Sequence, residues 1–290
     1  MIHRKAGPRQ SECPGVGGLR PERRPANVPA PLILPRNAIS TTRVVPCYDE
    51  AARLDPGAFA RFLASREDAR LVFVNDGSRD GTGAVLDGVH GSASDRVDVV
   101  TLDRNVGKAE AVRCGIRRAL ETKVDFVGYW DADLSTPLEV STPFAEVLRS
   151  DPSLDTVMGS RVQMLGRRIE RLSSRHYAGR VFATAAALAL QIPVYDTQCG
   201  AKLFRASERL ARVFETPFLA RWAFDVEIIA RFGALTARYE PTPLCEAVYE
   251  FPLTEWRHAA GSKVRATDFL RALGDLARIR RVYVRSARPS

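Results

Sequence analysis

The feature that most restricts the fold is an alternation. From Thr41 onward, short apolar runs take turns with stretches of helical periodicity. Residues 43–45, 71–74, 97–102, 125–130 and 156–158 read as strands, and residues 55–69, 80–89, 108–122 and 137–149 between them read as helices. The first helix has an apt start, with Asp55 placed to cap it and Pro56 at its first position. Strand after helix after strand predicts an α/β fold: a single Rossmann-like domain whose mostly parallel sheet carries helices on both faces. In such sheets ligands bind beyond the carboxyl ends of the strands.

Composition limits what surrounds that domain. The chain is 45% hydrophobic and 27% charged, an ordinary globular proportion. Residues 1–40 differ: they hold seven of the 18 prolines and no apolar periodicity, and they read as a disordered tail before a domain over 41–262. The net charge of +9 is carried by the ends. Seven basic and two acidic side chains lie in 1–40, eight and two in 263–290, so the body between is slightly acidic. That distribution speaks against a nucleic-acid partner and leaves basic ends for phosphates or an anionic surface.

Residues 263–290 read as a basic helix packed on or extending the domain, with Leu273, Leu276, Ile279 and Val282 at helical spacing. Residues 166–191 begin with arginines and end in an alanine-rich run; they suit a surface helix leading into a core helix, or an interfacial pair lying on a membrane. The longest nearly apolar run, 181–190, is half of the roughly 20 residues needed to cross a bilayer. No secretory signal is visible, so the expected location is cytoplasmic, with peripheral contact to the inner face of a membrane. Five widely spaced cysteines without a CxxC pair read as reduced thiols.

Polar clusters stand where the sheet would place a ligand. Strand one ends in Val45-Pro46-Cys47-Tyr48-Asp49-Glu50 and strand two in Asn75-Asp76-Gly77-Ser78-Arg79-Asp80-Gly81-Thr82. Strand three leads into Asn105-Val106-Gly107-Lys108, and strand four into Asp131-Ala132-Asp133. Asp131 and Asp133 are two apart, so while the chain stays extended both carboxylates point to one side. Two hard oxygen ligands so placed suit Mg²⁺ or Mn²⁺, which complete their shell with substrate phosphates and water. The chain uses Arg 38 times and Lys only five, and three of the five, Lys108, Lys202 and Lys263, lie inside polar motif blocks. A compact ammonium is a point-charge phosphate ligand, unlike a guanidinium fork. Trp130 and Trp222 read as core or pocket wall, and His176 and His258 lack a partner at metal-ligand spacing.

In chain order, VVPCYDE, VNDGSRDGT, NVGKAEAVRCG, YWDADLSTP, MGSR, DTQCGAKLF, WAFDVEII and GSKV resemble the inverting A-type glycosyltransferases of family 2, in the dolichyl-phosphate sugar synthase group. The likeness spans residues 41–283 and is greatest to the dolichyl-phosphate β-glucosyltransferases and their bacterial relatives. DTQCGAKLF followed by FDVE is its specific part.

This resemblance implies a glycosyltransferase A-type fold and a metal-dependent hexosyltransferase. It implies that Pro46, Tyr48, Glu50, Asp76 and Ser78 line a nucleotide pocket and that Lys108 lies near the ribose or diphosphate. It implies that Asp131 and Asp133 hold the metal and that Arg161 and Lys263 meet phosphates. Asp196, Gln198, Asp225 and Glu227 would contact sugar hydroxyls or the acceptor. Two positions depart from the pattern: Asn75 replaces a second Asp, and Ser135 stands where mannosyl relatives place Gln, which favours the glucosyl branch. The implied donor is UDP-glucose and the implied acceptor a polyprenyl phosphate. Two other classes are a soluble enzyme glycosylating a hydroxyl or thiol of a peptide or small molecule, with Asp225 or Glu227 as candidate general base, and a nucleic-acid or regulatory binding protein that kept the fold without catalysis.

Overall fold

The protein is described by a computed structural model over residues 40–170, 173–239, 244–258 and 266–285. The tail assigned to residues 1–40 falls outside these residues except for Ser40, as does Lys263. The alternation read from the sequence is present: β1 (Thr41–Cys47), α1 (Pro56–Ser65), β2 (Ala69–Asn75), α2 (Thr82–Ser92), β3 (Val97–Thr101), α3 (Lys108–Leu120) and β4 (Phe126–Trp130). Asp55 caps α1 by accepting from the Ala58 amide, with Pro56 opening the helix. There follow α4 (Ser141–Ser150), β5 (Thr156–Ser160), β6 (Arg168–Ile169), α5 (Ser173–Leu190), β7 (Ala201–Arg205), α6 (Glu208–Val213) and α7 (Phe224–Tyr239). The chain ends with α8 (Leu244–Ala247), β8 (Val248–Pro252), β9 (Glu255–Trp256) and α9 (Ala266–Ile279), which runs on into a π-helical turn, Arg280–Arg285.

Seven strands make one sheet in the order β3-β2-β1-β4-β7-β5-β8, and β6 pairs with β9 in a small second sheet. β1 to β4 are mutually parallel, and β5 is parallel to β8. β7 alone runs antiparallel, wedged between β4 and β5. Every residue of β4 is buried, as expected of a central strand covered on both faces. One face is closed by α1, α2 and α4, which bury Phe59, Phe62, Leu86 and Phe144 against Phe73 and Trp130. On the other, α3, α6 and α7 bring Val112, Ile116, Leu210, Ile228 and Phe232 against Val44, Tyr129 and Phe204. Helix α3 lies so close to the sheet that a Cβ on Gly115 would overlap the Val44 and Val74 side chains.

A third core joins α5, α7 and α9 through Phe182, Ala186, Val226, Ile229, Leu276 and Ile279. The stripe foreseen on the C-terminal helix therefore packs on the domain up to Ile279, but Val282 is exposed. The chain is π-helical from Arg280 to Arg285, and the wider turn carries Val282 off the apolar face. The arginine-rich stretch before α5 is not helical over its whole length; it first forms the short strand β6. Among the described residues no helix is long and apolar enough to cross a membrane.

Candidate active site

The loops after β1 and β2 are stitched to each other by side chains. The Asp49 amide donates to Ser78 Oγ at 3.1 Å, the Glu50 amide to Thr82 Oγ1 at 2.8 Å, and the Arg79 amide to Asp49 Oδ1 at 2.8 Å. A cavity of about 400 Å³ opens beside them, lined among others by Tyr48, Asn75, Ser78, Arg104 and Asn105. Of the residues assigned to a nucleotide pocket, Tyr48 and Ser78 line this cavity, and Asn75 lines it too. Glu50 forms an ion pair with Arg53. Pro46 lies within β1, in register with Val74.

Asp76 is turned inward. Its carboxylate is buried and accepts from the Val106 and Gly107 amides at 2.7 and 2.9 Å, which fixes the turn between β3 and α3. Burial pushes its pKa up and prevails over the lowering pull of those two amides and of Arg221. The turn delivers Lys108 as the first residue of α3, with its Nζ 2.5 Å from Asp131 Oδ1. Burial acts to lower the Lys108 pKa, but Asp131, Asp225 and Asp133 together outweigh it, so the ammonium is favoured beyond its ordinary range.

β4 stops at Trp130, and the chain does not stay extended through the two aspartates. The Leu134 amide closes a turn onto the Asp131 carbonyl at 3.1 Å, with Leu134 at a φ of 50°. The same-side argument made for an extended Asp131-Ala132-Asp133 therefore does not apply. Asp133 caps the turn by accepting from the Ser135 amide at 3.0 Å, and both carboxylates act on the Lys108 ammonium from the far side of that turn. Gly200 makes room for Asp131: a Cβ there would overlap its carboxylate, and the Gly200 carbonyl accepts the Asp131 amide at 2.9 Å. The two carboxylates of this turn are the donor type a hard divalent cation takes, but Asp131 is paired with Lys108, and among the described residues no three His, Cys, Asp or Glu side chains gather as a metal site.

Beneath this centre lies a buried network that the sequence did not announce. Lys202, on β7, donates to Asp225 Oδ1 at 2.5 Å and to the Cys199 carbonyl at 2.7 Å. The Tyr129 hydroxyl donates to the same Asp225 oxygen, and burial, then Asp225, raises the Tyr129 pKa well above its usual value. Asp225 is consequently held in an ion pair, and no proton acceptor of the kind a general base requires is free at its Oδ1.

Glu227, two residues on, faces elsewhere. It is fully buried and accepts from the Leu219 and Ala220 amides, the Arg231 guanidinium and the Tyr283 hydroxyl. It braces a loop rather than lining the cleft. Positions i and i+2 of a helix do not share a face, which is why two carboxylates close in sequence part so widely.

At the end of β5, Arg161 grips Asp196 with Nε and Nη2 at 2.7 and 2.8 Å and lies over the Trp256 ring. Burial would lower the Arg161 pKa, but Asp196 more than offsets it and the net shift is upward. Asp196 also receives the Gln198 amide at 3.2 Å, and Glu250 receives the Tyr195 and Asp196 amides, both at 2.7 Å. Tyr129, Gly200, Lys202, Arg221 and Glu250 are the functional-site residues that sequence reasoning left without a part. Tyr129, Gly200 and Lys202 lie inside motif blocks quoted from the sequence, and Lys202 also stood out as a lysine in an arginine-rich chain.

The model of the glycosyl transferase family 2 matches residues 42–209, the segment that holds β1 to β7 and most of these groups. The chain belongs to that family. It is therefore a glycosyltransferase, and its sheet is that of the A-type fold. A dolichyl-phosphate beta-glucosyltransferase of Trichomonas vaginalis is 28% identical to it over 89% of this chain and 76% of its own length. The Mus musculus dolichyl-phosphate beta-glucosyltransferase is 30% identical over 84% and 76%. Among solved structures, the glucosyl-3-phosphoglycerate synthase of Mycobacterium tuberculosis with Mn²⁺, UDP-glucose and phosphoglyceric acid superposes with a TM-score of 0.61. It is 17% identical and covers 84% of this chain and 80% of that one, a likeness of fold.

Proposed function

We propose that this glycosyltransferase moves glucose from UDP-glucose to a polyprenyl phosphate, using Mg²⁺ or Mn²⁺. The relatives named as dolichyl-phosphate beta-glucosyltransferases support the acceptor class, and the structural neighbour with UDP-glucose and Mn²⁺ supports donor and metal. The observation that carries the acceptor assignment is the engagement of Asp225 by Lys202 and Tyr129. A peptide hydroxyl needs a neighbour to take its proton, and the Oδ1 of this carboxylate already serves Lys202 and Tyr129. A phosphate monoester, with its second pKa near 6, arrives as an anion and needs no base.

In this reading Tyr48, Asn75 and Ser78 border the nucleoside, with Asp76 shaping the turn beside it. Lys108, kept as an ammonium by the carboxylates around it, supplies positive charge where the departing diphosphate gains negative charge. Arg161, aligned by Asp196, and Lys263 are the further cations for phosphate oxygens. Gln198, whose Nε2 is enclosed yet unpaired among the described residues, is left to a sugar hydroxyl. Asp131 and Asp133 would hold the divalent cation, which when bound supplies Lewis-acid neutralisation of the diphosphate. The anomeric carbon acquires oxocarbenium character that in-line attack by the acceptor relieves. Exposed Leu165, Val181 and Leu188, with arginines nearby, support peripheral contact with a cytoplasmic membrane face, where a polyprenyl chain would be met.

Supplying labelled UDP-glucose, a short prenyl phosphate and Mg²⁺ or Mn²⁺ should give a labelled product that extracts into organic solvent and is labile to mild acid. Labelled glucose on a serine- or cysteine-bearing peptide, with no lipid product, would overturn the acceptor assignment.

A further inference from the structure

Glu227 connects two parts of the molecule that are distant in sequence, and one of them borders the cavity. Three successive amides of the loop between α6 and α7 end on carboxylates: Phe218 on Glu110 at 3.1 Å, Leu219 on Glu227 Oε1 at 3.0 Å and Ala220 on Glu227 Oε2 at 2.8 Å. The next residue is Arg221. Its Nη2 donates to Asn105 Oδ1 at 3.3 Å, and its guanidinium occupies the space over Gly107, where a Cβ would meet it at 2.8 Å. Asn105 lines the cavity and Gly107 precedes Lys108. Arg221 itself is exposed.

On its other side Glu227 meets the C-terminal segment. The Tyr283 hydroxyl donates to Glu227 Oε1 at 3.0 Å, and the Arg231 guanidinium lies over both the Phe218 and Tyr283 rings, at 4.4 and 5.6 Å from their centroids. Arg231 also donates to Glu227 and to the Val213, Thr216 and Pro217 carbonyls. These bonds engage Nε and both terminal nitrogens, so the hub is tightly held.

We propose that Tyr283 is a positioning residue for donor binding: through Glu227 it holds the 218–221 loop, and with it Arg221, against the Asn105–Gly107 turn. Docking of the C-terminal segment thereby sets the affinity for a nucleoside diphosphate. The inference rests on the donor reading given above. Burial and then Glu227 raise the Tyr283 pKa, so its hydroxyl keeps the proton it donates.

The probe is UDP with Mn²⁺, titrated calorimetrically into wild type, Tyr283→Phe, Arg221→Ala and the double variant of the full chain. Tyr283→Phe keeps the ring over Arg231 and removes only the hydroxyl. It should weaken UDP binding roughly three- to tenfold, with the kcat at saturating donor and the KM for the acceptor unchanged. In the Arg221→Ala background the same substitution should have no further effect on UDP. Amide exchange at Leu219 and Ala220 should quicken in Tyr283→Phe. Unchanged UDP affinity in Tyr283→Phe, or an equal loss with and without Arg221, would overturn the inference while leaving the donor reading intact. A wild-type protein that binds no UDP would overturn the donor reading and this inference with it.

Discussion

Replacing Lys202 by Met tests whether the network under the site is held together by charge. The Lys202 and Asp225 side chains are 1% and 6% exposed, and their 2.5 Å ion pair has the Tyr129 hydroxyl as its other partner. Met fills the volume of the aliphatic stem but leaves a buried carboxylate facing one hydroxyl, at a cost of about 3–5 kcal/mol. With an m-value of about 3 kcal/mol/M, the urea midpoint should fall by about 1–1.7 M. Removing both charges, in Lys202→Met with Asp225→Leu, leaves the Tyr129 hydroxyl and the Cys199 carbonyl without these partners, at a cost of about 1–3 kcal/mol each. Adding Tyr129→Phe should recover the hydroxyl's part of that cost, leaving the part of the Cys199 carbonyl. Equilibrium unfolding in urea, followed by fluorescence and circular dichroism, gives the cycle. A single Lys202→Met cost under about 1 kcal/mol, or a double variant that costs the sum of its two singles, would refute the reasoning.

Gly200→Ala should leave the unfolding free energy within about 1–3 kcal/mol of wild type while it displaces the Asp131 carboxylate; transfer activity should then fall by two orders of magnitude or so, about the effect of losing one preorganised group. Wild-type turnover in Gly200→Ala would sink the part given to that glycine. Asp131→Ala and Asp133→Ala should each abolish transfer with the circular dichroism spectrum unchanged, and excess EDTA should do the same to wild type; full activity in EDTA would refute the metal assignment. Burial pulls the Arg43 guanidinium down to about 9, so above that pH the native protein binds fewer protons than the unfolded chain and this site's contribution to stability rises with pH. Arg43→Met, which also removes the bonds to Ser141 Oγ and the Thr41 carbonyl, should lose that alkaline slope, as pH-dependent urea titrations would register.

The donor half of the fold was legible because each of its strands is a short apolar run bounded by turn residues, and each crossover is a helix with its own periodicity. The reversed strand was not. Ala201–Arg205 is buried nearly throughout, and direction leaves no trace in apolar content. The strand VYEFP alternates too weakly to declare itself, since its residues are only partly covered at the sheet edge. At the site, residue types were easier to read than orientation. Asp131 and Asp133 were recognised as a pair, but the turn at Leu134 depends on a tertiary bond to Gly200 that spacing does not encode. Asp76 was recognised as polar at a strand end, and its inward turn follows from two amides about thirty residues on.

The antiparallel β7 makes it and β5 two arms of a hairpin, with Thr156 facing Phe204 and Met158 facing Lys202. Everything in 161–200, including β6 and α5, is in effect the tip of that hairpin. The excursion leaves and re-enters the sheet at neighbouring positions, about 5 Å apart in such a pairing. The closure entropy of an excursion grows only with the logarithm of its length, so a longer or shorter one burdens the sheet little. The segment is thus anchored on two adjacent strands, while α5 and β6 tie it further to α7, α9 and β9. Changes in the length of this segment should therefore burden the pairing of β5 with β7 little, provided the contacts of α5 and β6 are kept.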